Sequence, residues 1–163
     1  MEYYEALGLE SKLALDLEDL KKRFYERSRQ WHPDKFSRAD PAERQKALDM
    51  TALLNDSFRT LRDPVTRAEY FLKQRGLELS KEAPPELLEE VFELNIAIEE
   101  SDRDQLESAR DRFTAMLATI DEQLQELFAA EKLVEIRAVL NRRRYISNLV
   151  REATKELNVH TSN

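Results

Sequence analysis

The 163-residue sequence contains no cysteine and only two glycines, Gly8 and Gly76. Without cysteine there is no disulfide, no thiolate metal site and no thiol nucleophile. Phosphate-cradling loops need several glycines, because the backbone must approach the phosphate closely and adopt positive φ. Neither a P-loop nor a dinucleotide-binding turn is therefore built here. The same shortage disfavours tight β-hairpins. No apolar run approaches the roughly 20 residues that span a bilayer, and the opening residues Met1 to Glu10 are acidic where a secretory signal is basic and then apolar. The expectation is a cytoplasmic protein with no membrane contact.

What the chain has is charge. Charged residues make up 36% of it, with 33 acidic against 26 basic side chains and a net charge of −7, where an average globular protein has about 25% charged residues. Such a balance suits long, thin helices with much surface. The excess is uneven: residues 1–76 carry 15 basic and 14 acidic side chains, residues 77–163 carry 11 and 19. This break predicts two modules, 1–76 and 86–163, joined by a linker at 77–85 that contains Pro84 and Pro85.

Helix signals run throughout. A short helix over Tyr3 to Leu7 closes at Gly8. Asp16 caps a second, whose residues Leu17, Leu20, Phe24 and Trp31 fall in one core stripe and which ends before Pro33. Asp40-Pro41 and Asp63-Pro64 each pair an N-cap acceptor with proline at the first helical position. They open helices over about 41–61, with Ala47, Met50, Leu54, Phe58 and Leu61 inward, and over about 64–73. Beyond the linker, three more are predicted over Glu86 to Glu100, Asp102 to Ala129 and Glu131 to Asn158. Leu106, Ala109, Phe113, Met116, Ile120, Leu124 and Leu127 give the middle one a coiled-coil-like seam. Short connections make these neighbours antiparallel, so the expected fold is all-α: a four-helix module, then a three-helix bundle.

The second helix carries Lys21, Lys22, Arg23, Arg27 and Arg29 and leads into His32-Pro33-Asp34, followed by Lys35-Phe36. Downstream, Asn55-Asp56-Ser57-Phe58 runs into Leu61-Arg62-Asp63-Pro64 and Arg67-Ala68-Glu69-Tyr70. Residues 1–76 thus resemble a J domain, the module by which DnaJ-type co-chaperones engage DnaK-class chaperones. More narrowly, Tyr3-Tyr4, Leu7-Gly8-Leu9, Trp31 to Phe36 and Leu61 to Leu72 resemble the HscB family of iron–sulphur cluster assembly, in which an acidic three-helix bundle follows the J domain. Physically, Pro33 stops the helix and leaves His32 and Asp34 projecting beside a basic face. Lys21, Lys22, Arg29 and Lys35 are placed to steer an acidic partner, and Asp34 to accept from a partner arginine. The resemblance implies that this contact stimulates the ATPase of an HscA-type chaperone.

In the helix from Glu86, Leu87, Val91, Leu94 and Ile98 form a stripe that faces the bundle, while Leu88, Phe92 and Ile96 form a second one turned away from it. Tyr145 likewise projects away from the inward residues Leu133, Ile136, Leu140 and Val150 of the last helix. An exposed apolar strip rimmed by Glu89, Glu93 and Glu100 is the mark of a protein-binding face. The resemblance implies that Leu88, Phe92, Glu93, Ile96, Glu100 and Tyr145 hold the scaffold protein IscU. A J protein that serves another client is the alternative.

No catalytic constellation is visible. His32 has no serine or cysteine motif around it, His160 falls in an expected disordered tail, and the carboxylates are spread over helix faces. A net acidic chain with a pI near 5.1 argues against broad nucleic-acid binding. The expectation is a non-catalytic co-chaperone without metal or cofactor.

Overall fold

A computed structural model describes residues 2–161. Among them every regular element is helical, and the chain divides into two compact units, Met1–Gly76 and Leu77–Asn163.

In the first unit, α1 (Tyr3–Ala6), α2 (Leu17–Gln30), α3 (Pro41–Arg62) and α4 (Pro64–Gln74) surround a core of Tyr4, Leu7, Leu13, Leu20, Leu54, Leu61 and Phe71. The helix starts follow local chemistry. The Asp16 carboxylate accepts from the amides of Glu18 and Asp19, Asp40 from Glu43, and Asp63 from Val65 and Thr66, each satisfying amides that have no partner inside the helix. Asp63 also ends α3, so one residue closes one helix and opens the next. Across that corner the buried Arg67 donates from Nη1 to the Leu61 carbonyl at 2.8 Å. Burial lowers the pKa of its guanidinium.

Two expectations change here. Leu17, assigned to the core stripe, is 50% exposed, and Leu13 is fully buried instead. Leu17 sits one residue into α2, where it lines a shallow groove with Lys21, Tyr25, Phe58, Arg62 and Pro64. The stretch between the second and third predicted helices, to which the sequence assigns no helix, begins with a 3₁₀ turn over Pro33–Phe36.

In the second unit, a 3₁₀ turn at Pro85–Leu87 leads into α5 (Leu88–Glu99), followed by α6 (Arg103–Ala130) and α7 (Leu133–Thr161). The connections are tight. Ser101 and Glu131 take positive φ, 53° and 50°, where no glycine is available, and the Asp102 carboxylate caps α6 at the Gln105 amide. Leu87, Leu94, Phe113, Ile120, Phe128, Ile136, Leu140 and Ile146 fill the core. The last helix extends beyond the expected end at Asn158, so the backbone of His160 is helical rather than part of a tail; residues 162 and 163 lie outside the described residues.

Residues 77–85, expected as linker, cluster with this second unit. Pro84 is buried, and α7 donates side-chain hydrogen bonds to the segment: Arg137 Nε to the Glu78 carbonyl at 2.7 Å, Asn141 Nδ2 to that of Glu82 at 3.5 Å and the Tyr145 hydroxyl to that of Lys81 at 2.5 Å. Residues 137, 141 and 145 are one helical turn apart, hence on one face.

Candidate functional site

The His32-Pro33-Asp34 turn is built from both sides. Upstream, the Trp31 amide closes α2 on the Arg27 carbonyl. Downstream, the Lys35 amide donates to the His32 carbonyl at 2.9 Å and the Ser37 hydroxyl to the Asp34 carbonyl at 3.2 Å. At the base, the rings of Trp31 and Phe36 stack with centroids 5.7 Å apart and planes within 6°, and the Lys46 ammonium of α3 lies 5.4 Å from the Trp31 ring. The turn is therefore an aromatic-footed loop resting on α3. Offset stacking and a cation over the indole each favour this geometry.

Above that footing the polar groups point outward. His32 and Asp34 side chains are 58% and 92% exposed. Within the turn, His32 Nδ1 accepts from the Asp34 amide at 3.2 Å. The Asp34 carboxylate is 3.6 Å from the same nitrogen, and no other partner engages it among the described residues.

The basic residues of α2 separate into two sets. Arg23 pairs with Asp19 at 2.9 Å and donates to the Gly8 carbonyl at 2.8 Å, while Arg27 fills the space over Gly8. Both are engaged with Gly8, just past the end of α1. Lys21, Lys22 and Arg29 are exposed and have no ion-pair partner among the described residues, and the same holds for Lys35 beside the turn. The residues expected to steer a partner are thus the ones whose charge is unspent, a division that the sequence run alone does not reveal.

In the second unit, Leu88, Phe92 and Ile96 lie four residues apart along α5 and are 59%, 65% and 38% exposed. Leu87 and Leu94 are buried on the other side of the helix axis, with Val91 and Ile98 half-buried. Glu100, the residue that caps the end of α5, continues the exposed line by another four. Glu93 is beside it, 3.5 Å from Arg112 of α6, a pairing not anticipated. Tyr145 differs from the other candidates: it is half-buried, and its hydroxyl is committed to Lys81. The one-turn spacing of Arg137, Asn141 and Tyr145 was the available signal for this, but their partners are main-chain carbonyls, which no sequence pattern displays.

Among the described residues no grouping of three or more His, Cys, Asp or Glu is arranged to hold a metal ion, and no helix is long and apolar enough to cross a membrane.

A helical unit with an outward-facing His-Pro-Asp turn beside a free basic helix face defines a J-domain protein, and residues 2–70 match the family model described as DnaJ domain. Residues 83–154 match a second, described as HSCB C-terminal oligomerisation domain. The chain is 30% identical to the chaperone HscB from Vibrio cholerae, with 95% of this chain and 96% of that one covered and a TM-score of 0.72. It shares its fold with the human co-chaperone HscB at 23% identity, a TM-score of 0.76, and coverage of 96% and 82%. The chain belongs to the HscB family, the J-domain co-chaperones of iron–sulphur cluster assembly. Its members are non-catalytic, and the J domain implies a chaperone of the DnaK class as partner.

Proposed function

We propose that this protein stimulates the ATPase of an HscA-type chaperone through the His32-Pro33-Asp34 turn and delivers an IscU-type scaffold protein held on its second unit. One observation carries the reading: a single chain combines an outward-facing His-Pro-Asp turn with an exposed apolar line, Leu88, Phe92 and Ile96, in a separate unit.

On this reading Lys21, Lys22, Arg29 and Lys35 speed encounter with an acidic groove on the chaperone, and the exposed Asp34 carboxylate accepts a charge-assisted hydrogen bond from a chaperone arginine. Leu88, Phe92 and Ile96 bury apolar area against the scaffold, while Glu93 and Glu100 supply the polar rim. Tyr145 contributes through its ring, since its hydroxyl is taken. Holding both partners on one chain converts the second encounter into an intramolecular one and raises the local concentration of client at the chaperone.

The test is steady-state ATP hydrolysis by a purified HscA-type chaperone with and without this protein, alongside calorimetric titration of the protein with an IscU-type scaffold. Asp34→Asn and His32→Gln are expected to abolish stimulation and leave scaffold binding intact. Stimulation that survives either substitution in a folded chain would remove the turn from the mechanism. A J protein with another client would stimulate the chaperone yet show no heat on titration with the scaffold.

A further inference from the structure

The hydrogen bond inside the turn has a chemical consequence for His32. A neutral imidazole carries one proton, on either Nδ1 or Nε2, and the nitrogen that accepts a hydrogen bond is the one without it. Here Nδ1 accepts from the Asp34 amide at 3.2 Å, which makes His32 the side-chain cap of the 3₁₀ turn over Pro33–Phe36. The proton is therefore on Nε2. That nitrogen has no hydrogen-bond partner among the described residues, and the side chain is 58% exposed.

We propose that His32 is a specificity-determining donor: the turn fixes its tautomer so that an Nε2–H is presented to the chaperone, and the chaperone group that meets it is a hydrogen-bond acceptor. The inference rests on the proposed function for its partner, but not for the tautomer. The two nitrogens have separate duties. Nδ1 holds the turn in shape from within, and Nε2 addresses the partner. Asp34 beside it offers an acceptor, so the apex presents a donor and an acceptor side by side, which a partner matches only with the reverse pair. The Trp31–Phe36 stack and the Lys46 ammonium hold the base of the turn, so the backbone that carries the two groups is set before any partner arrives. Preorganisation of this kind lowers the ordering cost of association.

On this division no single amide is expected to replace the imidazole. Asparagine at this position places an oxygen near Nδ1 and is a good cap acceptor, but has no atom at Nε2. Glutamine reaches Nε2 with an N–H yet leaves the Asp34 amide without its partner.

Two measurements test the proposal. Nitrogen–proton correlation spectra of the free protein, at a pH where the ring is neutral, are expected to show Nε2 of His32 protonated and Nδ1 bare; the opposite tautomer would overturn the assignment with no chaperone present. In the ATPase assay, His32→Asn is expected to keep the fold and lower the apparent affinity for the chaperone roughly tenfold or more, the loss expected when an acceptor is left unmatched. Stimulation by His32→Asn at the level of the unsubstituted chain would show that no outward donor is needed and refute the proposal. If the unsubstituted chain itself stimulates no DnaK-class chaperone, it is the functional reading that fails, and the spectra still decide the tautomer.

Discussion

The hydroxyl of Tyr145 donates to the carbonyl of Lys81 at 2.5 Å. This contact gives Tyr145 two separable parts, a hydroxyl that anchors residues 77–85 to α7 and a ring that remains partly exposed. Tyr145→Phe is expected to leave scaffold binding within about twofold, because the ring and its area persist, while trypsin cuts faster after Lys81. Tyr145→Ala is expected to weaken binding as well. Titration calorimetry and timed proteolysis read the two effects apart. Equal binding losses for Phe and Ala would assign the hydroxyl to the scaffold instead.

A second prediction concerns the corner between α3 and α4. Arg67 is 5% exposed, and its Nη1 satisfies the carbonyl of Leu61 near the end of α3. Arg67→Ala leaves that buried carbonyl unpaired and opens a void, so the first unit is expected to lose about 1–3 kcal/mol. Urea unfolding followed by Trp31 fluorescence reports it, since Trp31 is the only tryptophan.

The two glycines make a matched pair. Gly8 and Gly76 both adopt positive φ, 67° and 72°. A side chain at Gly8 meets the Arg27 guanidinium, and Gly8 also accepts from Arg23; at Gly76 there is nothing within reach. Alanine at either site carries the left-handed backbone penalty of about 1–2 kcal/mol, and Gly8→Ala additionally displaces Arg27. Unfolding curves are expected to rank Gly8→Ala as the more destabilising. The reverse order would show that Arg27 moves aside without cost.

Burial, aided by the Glu2 carboxylate and opposed by the Tyr3 amide, pushes the Tyr70 hydroxyl up to about 12. That hydroxyl accepts from the Tyr3 amide and donates to Glu2, each at 3.0 Å. Burial raises Tyr4 in the same direction. With pKa values raised in the folded state, the unfolded chain releases these protons first, from about pH 10. Stability contributed by the two tyrosines is thus complete below pH 10 and is lost as pH rises toward 12. Denaturation midpoints measured from pH 9 upward should fall, and Tyr70→Phe should flatten the decline. A midpoint independent of pH in this window would contradict the buried, protonated state of these hydroxyls.

Much of this was legible in the residues because it is local. Asp16, Asp40, Asp63 and Asp102 announce their helices through hydrogen bonds to amides two or three positions on, and a cap needs nothing else from the fold. The outward line of Leu88, Phe92 and Ile96 follows from helical period alone. What was not legible depends on neighbours. Periodicity places Leu17 on the core stripe, but at the start of α2 it stays half-exposed at a shallow groove, and Leu13 from the preceding loop fills the core. Pro84 and Pro85 signal a break in secondary structure; the docking of their segment on α7 is tertiary. Runs of arginine and lysine on α2 look alike in sequence. Only the positions of Asp19 and Gly8 separate the paired Arg23 from the free Lys21, Lys22 and Arg29.

The exposed line on α5 yields the clearest contrast between binding and folding. Phe92 is 65% exposed and Leu94, two residues on, is 1% exposed. Phe92→Ala removes little buried area within the chain, so its effect on stability is expected to stay within about 0.5 kcal/mol. Leu94→Ala opens a cavity and is expected to cost about 2–5 kcal/mol. Scaffold binding should respond in the opposite order: Phe92→Ala weakens it in a chain that unfolds at the unsubstituted midpoint, whereas Leu94→Ala weakens it only as far as the second unit unfolds. Arg112→Ala, which frees Glu93 from its ion pair at 3.5 Å, should change stability by less than about 1 kcal/mol. If Glu93 meets a cation on the scaffold, the same substitution strengthens binding, and more so at low salt. Calorimetric titrations of the three variants at two salt concentrations, with thermal unfolding as the control, separate these outcomes. A Phe92→Ala variant that binds like the unsubstituted chain would move the scaffold to another face.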